Sequence, residues 1–182
     1  MENTLEIIFQ SNLLNNNMNI FILITSMFCL MSTQEKKEIK QVSKNNMEVK
    51  WYYKSERIYF EMNAPTTGWV TIGFNSSSNI KNSYLLMGRV KNGKSEVVEH
   101  YTFSPGNYKS FKSLNELSNI KHVEGAEKNN QTTLKFSLPI TATSKYQKTL
   151  TQNSKYELIM AFSQQDDFQH HSIMRTSLNI NL

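Results

Sequence analysis

Cysteine is almost missing from this chain of 182 residues: Cys29 stands alone, inside an apolar N-terminal run. Once that run is removed, no disulfide, thiol chemistry or cysteine-based zinc site is available. Arginine is scarce too, with only Arg57, Arg89 and Arg175. The formal net charge is +5, but the lysines are scattered and no basic-aromatic motif of the RNA-reading type occurs. Nucleic acid is therefore not an expected partner. No nucleophile elbow, phosphate loop or metalloprotease helix is present. Without an acid, base and nucleophile constellation, the expectation is that the chain is not an enzyme.

What is present begins with Ile20 to Met31, a run of apolar residues too short for the ~20 that a bilayer span needs. It has the character of the core of a secretory signal peptide, and the small residues Ser32 and Thr33 follow it as cleavage positions. The lead-in is long and rich in asparagine, so the start is Met1 or Met18. Residues 1–33 are expected to be the signal peptide with its lead-in, residues 34–46 a charged linker, and residues 47–182 one folded domain. The mature chain has no second apolar run of spanning length, which points to the secretory pathway and an extracellular or lumenal destination. Two glycosylation sequons, at Asn75 and Asn130, accord with that route. A large domain can be secreted without disulfides.

From Met47 onward the pattern is short strands and turns. Met47 to Tyr53 alternates, turns at Lys54-Ser55-Glu56, and returns as Arg57 to Met62, with Val49, Trp51 and Tyr53 on one face. Gly68 to Asn75 is nearly continuous in apolar residues and suits a central strand. Tyr84 to Val90 and Glu96 to Phe103 flank Lys91-Asn92-Gly93, the strongest hairpin signal in the chain. Ser104 to Ser118 reads as a surface connection. Ile120 to Val123 and Thr132 to Leu138 flank a turn at Lys128-Asn129-Asn130, Tyr156 to Phe162 is a strong strand, and Ser172 to Leu182 is the last. The expected fold is all-β, a single antiparallel sandwich of about nine strands with an immunoglobulin-like two-sheet architecture. Trp51, Trp69, Phe74, Leu86, Phe136, Leu158 and Met160 are its expected core.

The order and spacing of Gly68-Trp69, Gly73-Phe74, Leu85-Leu86-Met87-Gly88 and Leu158 to Phe162, followed by His170-His171 and Arg175, resemble the DOMON domain. That family includes the N-terminal domain of dopamine β-monooxygenase and cytochrome-type haem domains. The resemblance implies a sandwich that binds haem or a sugar. It further implies an axial histidine at His171 and an axial methionine in the loop after Gly73-Phe74. That loop position holds Ile80, which cannot ligate iron, so a haem there would be five-coordinate at best. Tyr84 stands where the family carries an acidic residue.

The ring of Trp69 beside polar groups suits sugar stacking but also suits a core, and Tyr52, Tyr53 and Tyr101 share that ambiguity. His170 and His171 point to opposite faces if their segment is extended. His100 and His122 show no metal spacing, and no metal site is expected. Met87, in an apolar strand, is a weak substitute for the missing ligand and a good core filler. Asp166 and Asp167 read as solvated loop acids.

Three functions remain open. The main reading is a secreted, non-catalytic binding module for a sugar or other small ligand, with no cofactor, using Trp69, Tyr84, His170, His171 and Arg175. The second is a b-type haem electron-transfer domain with His171 as axial ligand. The third is a degenerate sandwich serving only contacts with a partner protein. Secreted material is expected to begin within a few residues of Ser32, and N-terminal sequencing that returns Met1 or Met18 would overturn the leader.

Overall fold

Strict alternation governs the first hairpin. In β2 (Met47–Lys54) and β3 (Arg57–Ala64), every second side chain is buried, as a pleated strand with one dry face requires. A computed structural model describes residues 37–77 and 79–182; the expected signal peptide, residues 1–33, lies outside the described residues. Ahead of this hairpin, Lys40–Lys44 forms β1 and pairs antiparallel with β2, so part of the stretch read as a charged linker belongs to a sheet. The remaining strands are β4 (Val70–Asn75), β5 (Tyr84–Lys91), β6 (Lys94–Ser104), β7 (Asn107–Ser110), β8 (Lys121–Lys128), β9 (Gln131–Pro139), β10 (Lys155–Phe162) and β11 (Met174–Asn181).

They make two antiparallel sheets, one of five strands in the order β1-β2-β3-β9-β8 and one of six in the order β11-β10-β4-β5-β6-β7. The sandwich expected from the strand pattern is therefore the fold. Two strands exceed the expected nine: β1, and β7 within the stretch read as a surface connection. That stretch also contains a one-turn 3₁₀ helix, Phe111–Leu114, whose Phe111 is buried.

Hairpin turns are built largely from asparagine. Asn45 and Asn46 (φ 49° and 63°), Asn92 with Gly93 (52° and 72°), and Asn129 with Asn130 (52° and 58°) adopt the left-handed conformation that two-residue hairpins demand. Between the sheets, the Phe60 ring lies 5.6 Å from Phe74 and 5.7 Å from Phe136. Phe60 thereby ties the first sheet to the second. Of the expected core residues, Trp51, Phe74, Leu86, Phe136, Leu158 and Met160 lie in this interior, whereas Trp69 belongs to a separate apolar cluster. Leu150, from the long loop before β10, is a core residue that the strand pattern did not indicate; Tyr53 donates to its carbonyl at 2.9 Å. Burial pushes the Tyr53 phenol up to about 12.

Both edges of the first sheet are guarded. Lys40 and Lys44 reach across to carbonyls of Leu182 (2.9 Å) and Ser177 (2.7 Å) at β11 of the other sheet. At the opposite edge, β8 breaks register between Lys121 and Glu124, and His122 there has a positive φ of 55°. A bulge at an edge twists it out of reach of further strands.

Candidate functional site

The central strands of the second sheet, β4 and β5, are buried on both faces, and this is where the candidate site lies. All six residues of β4 are buried. Ile72 and Phe74 face the sandwich interior; on the outer side, in register with Thr71 and Gly73, stand Met87 and Leu85 of β5 and Ala161 and Ile159 of β10. Outer-face burial comes from the segment 164–173, which folds back over the sheet between β10 and β11 and carries both histidines.

A close backbone junction holds that segment. A Cβ on Gly68 would lie 2.5 Å from the Gln165 nitrogen and 2.6 Å from the Gln164 carbonyl carbon, distances that no side chain tolerates. With glycine there, Trp69 N–H donates to the Gln165 carbonyl at 3.0 Å and Ser163 N–H to the Trp69 carbonyl at 2.9 Å. The Thr66 hydroxyl donates to the Ser163 carbonyl. The Trp69 indole N–H then donates to the His170 carbonyl at 3.2 Å. The Gly-Trp pair is thus a clamp for the histidine loop. Within the loop, Asp167 Oδ1 accepts from Gln169 N–H at 3.0 Å, so one of the paired acids shapes a turn instead of being merely solvated.

Beneath the loop is a pocket of about 230 Å³. Leu85, Met87, Ile159 and Ala161 form its apolar floor, Ile80 and Tyr108 stand at its sides, and His170, His171 and Arg175 border it from the loop and β11. Trp69, Met87, His170, His171 and Arg175, picked out from sequence, therefore converge on one pocket. The two histidines share it because their segment is not an extended strand: His170 N–H closes a turn onto the Asp167 carbonyl at 2.9 Å, so the opposite-face rule does not apply. Arg175 Nε donates to Ser172 Oγ at 3.0 Å, and its side chain is exposed at the rim.

Tyr84 is a correction. Strand parity puts it and Leu86 on the inner face of β5, opposite to Leu85 and Met87, and it is fully buried between the sheets. Its hydroxyl donates to Glu99, and burial, followed by the charge of Glu99, pushes its pKa well above the usual 10. It cannot contact a ligand in the outer pocket. Asn75 is a second correction: it is 3% exposed, and its amide nitrogen donates to the carbonyls of Asn79 and Lys81 (2.9 Å to Lys81). A glycan needs that nitrogen free, so the folded site is unsuited to one. Asn130 lies in the exposed β8–β9 turn.

Sugar stacking finds little support in the rings. Trp69 is 4% exposed. Tyr52 stacks on Tyr59, with centroids 4.9 Å apart and planes at 4°, and carries the Lys37 ammonium 4.5 Å from its ring centroid. Tyr101 packs against Phe103 and Tyr146.

His100, on β6 beside the pocket, was missed as a candidate because it lacks metal spacing in the chain. It is 3% exposed, lies on the outer face opposite Leu85, and its Nδ1 is 3.2 Å from the Val98 carbonyl. Burial lowers its pKa below 6.5, with the Val98 contact acting the other way. Among the described residues no group of three His, Cys, Asp or Glu side chains is placed to hold a metal ion. For haem held by histidine and a loop methionine, the donor set does not fit, because Ile80 offers no lone pair. The pocket is also below the roughly 300–1,000 Å³ typical of sites that enclose drug-sized ligands.

A family model for the DOMON domain matches residues 43–163. Among solved structures, the chain is similar to the cytochrome b domain of pyranose dehydrogenase from Coprinopsis cinerea. The identity is 11% and the TM-score 0.57, with 78% of this chain and 80% of that one covered. It is also similar to the cytochrome domain of Myriococcum thermophilum cellobiose dehydrogenase, at 9% identity and TM-score 0.57, covering 80% and 82%. At these identities the likeness is one of fold.

Two outcomes follow from the geometry. Gly68→Ala should destabilise the protein by about 1–3 kcal/mol, since backbone must move to admit the methyl group; an unchanged denaturation midpoint would show that the close approach is dispensable. For His100, the folded pKa lies below the unfolded value, so the unfolded chain binds more protons between the two. Its contribution is complete above about pH 6.5 and is lost as pH falls through that value toward the folded pKa. Melting temperature should decline on acidification below pH 6.5, and His100→Phe should flatten that decline.

Proposed function

The chain belongs to the DOMON domain family, and from that premise we propose that it is a non-catalytic binding module for a small ligand seated beneath the histidine loop. One observation carries the reading: an apolar floor of Leu85, Met87, Ile159 and Ala161 is bordered by His170, His171 and Arg175. Apolar walls with a few convergent polar groups characterise small-molecule sites. The chemistry matches a ligand with a flat apolar body and an anionic group, the body lying on the floor and the anion meeting the Arg175 guanidinium at the rim. A sugar fits less well, for want of a free aromatic face. The apolar run Ile20 to Met31 supports a secreted module. No helix among the described residues is long and apolar enough to cross a membrane.

Haem binding is the second reading, favoured by the position of His170 and His171 over an apolar floor. Haem is itself a flat apolar body with anionic edges, and histidine is its commonest protein ligand. His171 would hold the iron from the loop side, and Met87, whose side chain borders the pocket floor, is the sulfur nearest at hand in the strand. When bound, the group would supply one-electron chemistry; the chain's own part would be to seat it and exclude water.

Thermal shift across a panel of aromatic carboxylates, sugars and haemin tests both readings. A ligand at a hundredfold excess over its dissociation constant should raise stability by about 2.7 kcal/mol, or roughly 5–10 °C in a domain of this size. Arg175→Leu should weaken an acidic ligand about tenfold and leave a sugar unaffected. If no member of the panel shifts the transition, ligand binding is overturned and the contact-module reading takes its place.

A further inference from the structure

Two rows of side chains cross the outer face of the first sheet, on the far side of the sandwich from the histidine loop. They alternate along the strands with Trp51, Phe60 and Phe136, which are buried beneath. Pairing register builds the first row from β2, β3, β9 and β8, in the order Lys50, Glu61, Lys135 and Glu124. Its charges alternate strictly. Glu61 meets Lys50 at 3.8 Å and Lys135 at 3.4 Å, and Lys50 also holds Glu48 at 2.7 Å. The second row is Tyr52, Tyr59 and Ser137. His122 of β8 closes it, with Nδ1 2.8 Å from Ser137 Oγ and its ring 5.7 Å from that of Tyr59. Both rows line a groove of about 440 Å³, together with Ile39, which is 59% exposed.

The rings here are not a stacking platform. Tyr52 and Tyr59 face each other, and Lys37 and His122 stand against them at the two ends. Exposed ion pairs contribute little to folding; what an alternating ladder supplies is register against a surface of matching charge. A row of four alternating charges, reversed end to end, is its own complement. A two-fold axis in the contact plane, running along the strands between β3 and β9, performs that reversal. Lys50 then faces Glu124 of a second copy, Glu61 faces its Lys135, and the axis repeats both contacts. In the neighbouring row Tyr52 meets the second copy's His122. Such self-matching is what an isologous dimer requires. Sheets packed face to face incline their strands by about 30°, and the axis allows this if each copy turns by half that amount.

The area is adequate. Five strands about 4.8 Å apart, most of eight or nine residues at about 3.3 Å each, span roughly 24 by 26 Å. With side-chain relief that approaches the roughly 800 Å² per partner of a standard interface. The edges of this sheet are blocked by the lysines of β1 and the bulge in β8, which leaves its face as the surface through which two copies can meet. We propose that the chain forms a two-fold dimer through this face, with the ladder of Lys50, Glu61, Lys135 and Glu124 setting its register. Each histidine loop lies away from the contact, so the dimer presents two outer-face pockets pointing in opposite directions. It therefore bridges two ligand-bearing molecules. The dimer goes beyond the binding-module reading and does not depend on it.

Sedimentation of the purified protein over a concentration series tests the proposal. The unsubstituted chain should pass from monomer to dimer. Glu61→Lys with Glu124→Lys makes the row all-positive, and Lys50→Glu with Lys135→Glu makes it all-negative. Either variant alone should self-associate at least tenfold more weakly, and an equimolar mixture should restore a one-to-one heterodimer. Lys91→Glu with Lys94→Glu alters net charge as much as the all-negative variant, but on the β5–β6 hairpin of the other sheet. It should leave dimerisation unchanged. Circular dichroism checks folding. If a double change unfolds the chain, Lys50→Glu and Glu124→Lys serve singly, because those two positions meet across the axis and the mixture is again fully matched. A protein that stays monomeric up to about 1 mM overturns the proposal and leaves the face to a different partner or to the chain ahead of Lys37. A dimer undiminished in both charge variants, or a mixture no tighter than its components, overturns it as well.

Discussion

At Gly68 the chain before β4 runs so close to the start of the histidine loop that no side chain fits between them. The rest of the outer-face architecture depends on this contact. It lets Trp69 exchange backbone hydrogen bonds with Ser163 and Gln165, which brings the indole within reach of the His170 carbonyl. A loop tied down in this way can cover apolar side chains on a sheet face that would otherwise face water. Leu85, Met87 and Ala161 are buried by this cover and by Trp69. The pocket is the space left where the loop does not pack fully.

The two faces of the second sheet consequently do different work. Its inner face packs Phe74, Leu86 and Leu158 into the common core and includes one buried carboxylate, Glu99. That carboxylate accepts from the Tyr84 hydroxyl, from Gln147 Nε2 at 2.7 Å and from Asn119 N–H at 3.1 Å. Three neutral donors offset the desolvation of the charge and tie β6 to two loops. The outer face combines apolar residues with imidazoles and the guanidiniums of Arg89 and Arg175, which is the chemistry of a binding surface. Glu99 on the inside and His100 on the outside follow from their one-residue offset on a pleated strand.

Much of the fold was legible in the chain. Alternation in Met47–Lys54 and Arg57–Ala64 marked a one-sided hairpin, and Asn92-Gly93 marked a turn, because each depends on local backbone geometry. β7 was illegible, since Asn107–Ser110 is short and polar and is a strand only by pairing with β6. β1 was hidden in a charged stretch for the same reason; its lysines act through contacts with β11, far away in sequence. Tyr84 was misplaced because family position suggested the site while strand parity assigned it to the interior. His100 was passed over because spacing along the chain does not reveal that it lies beside Tyr108 and Phe168.

The sequence by itself determined that this chain would form a twisted antiparallel sandwich, for period-two burial and left-handed asparagine turns are properties of neighbouring residues. It also contained the family pattern in Gly68-Trp69, Gly73-Phe74 and His170-His171. Only the tertiary structure decided which face each candidate occupies, that Trp69 serves a second cluster outside the main core, and that the two histidines share a pocket with Ile80 and Arg175. The physical reason is that a site on a covered sheet face is assembled from five strands and four loops, and their mutual positions come from pairing register and backbone contact between residues about a hundred positions apart.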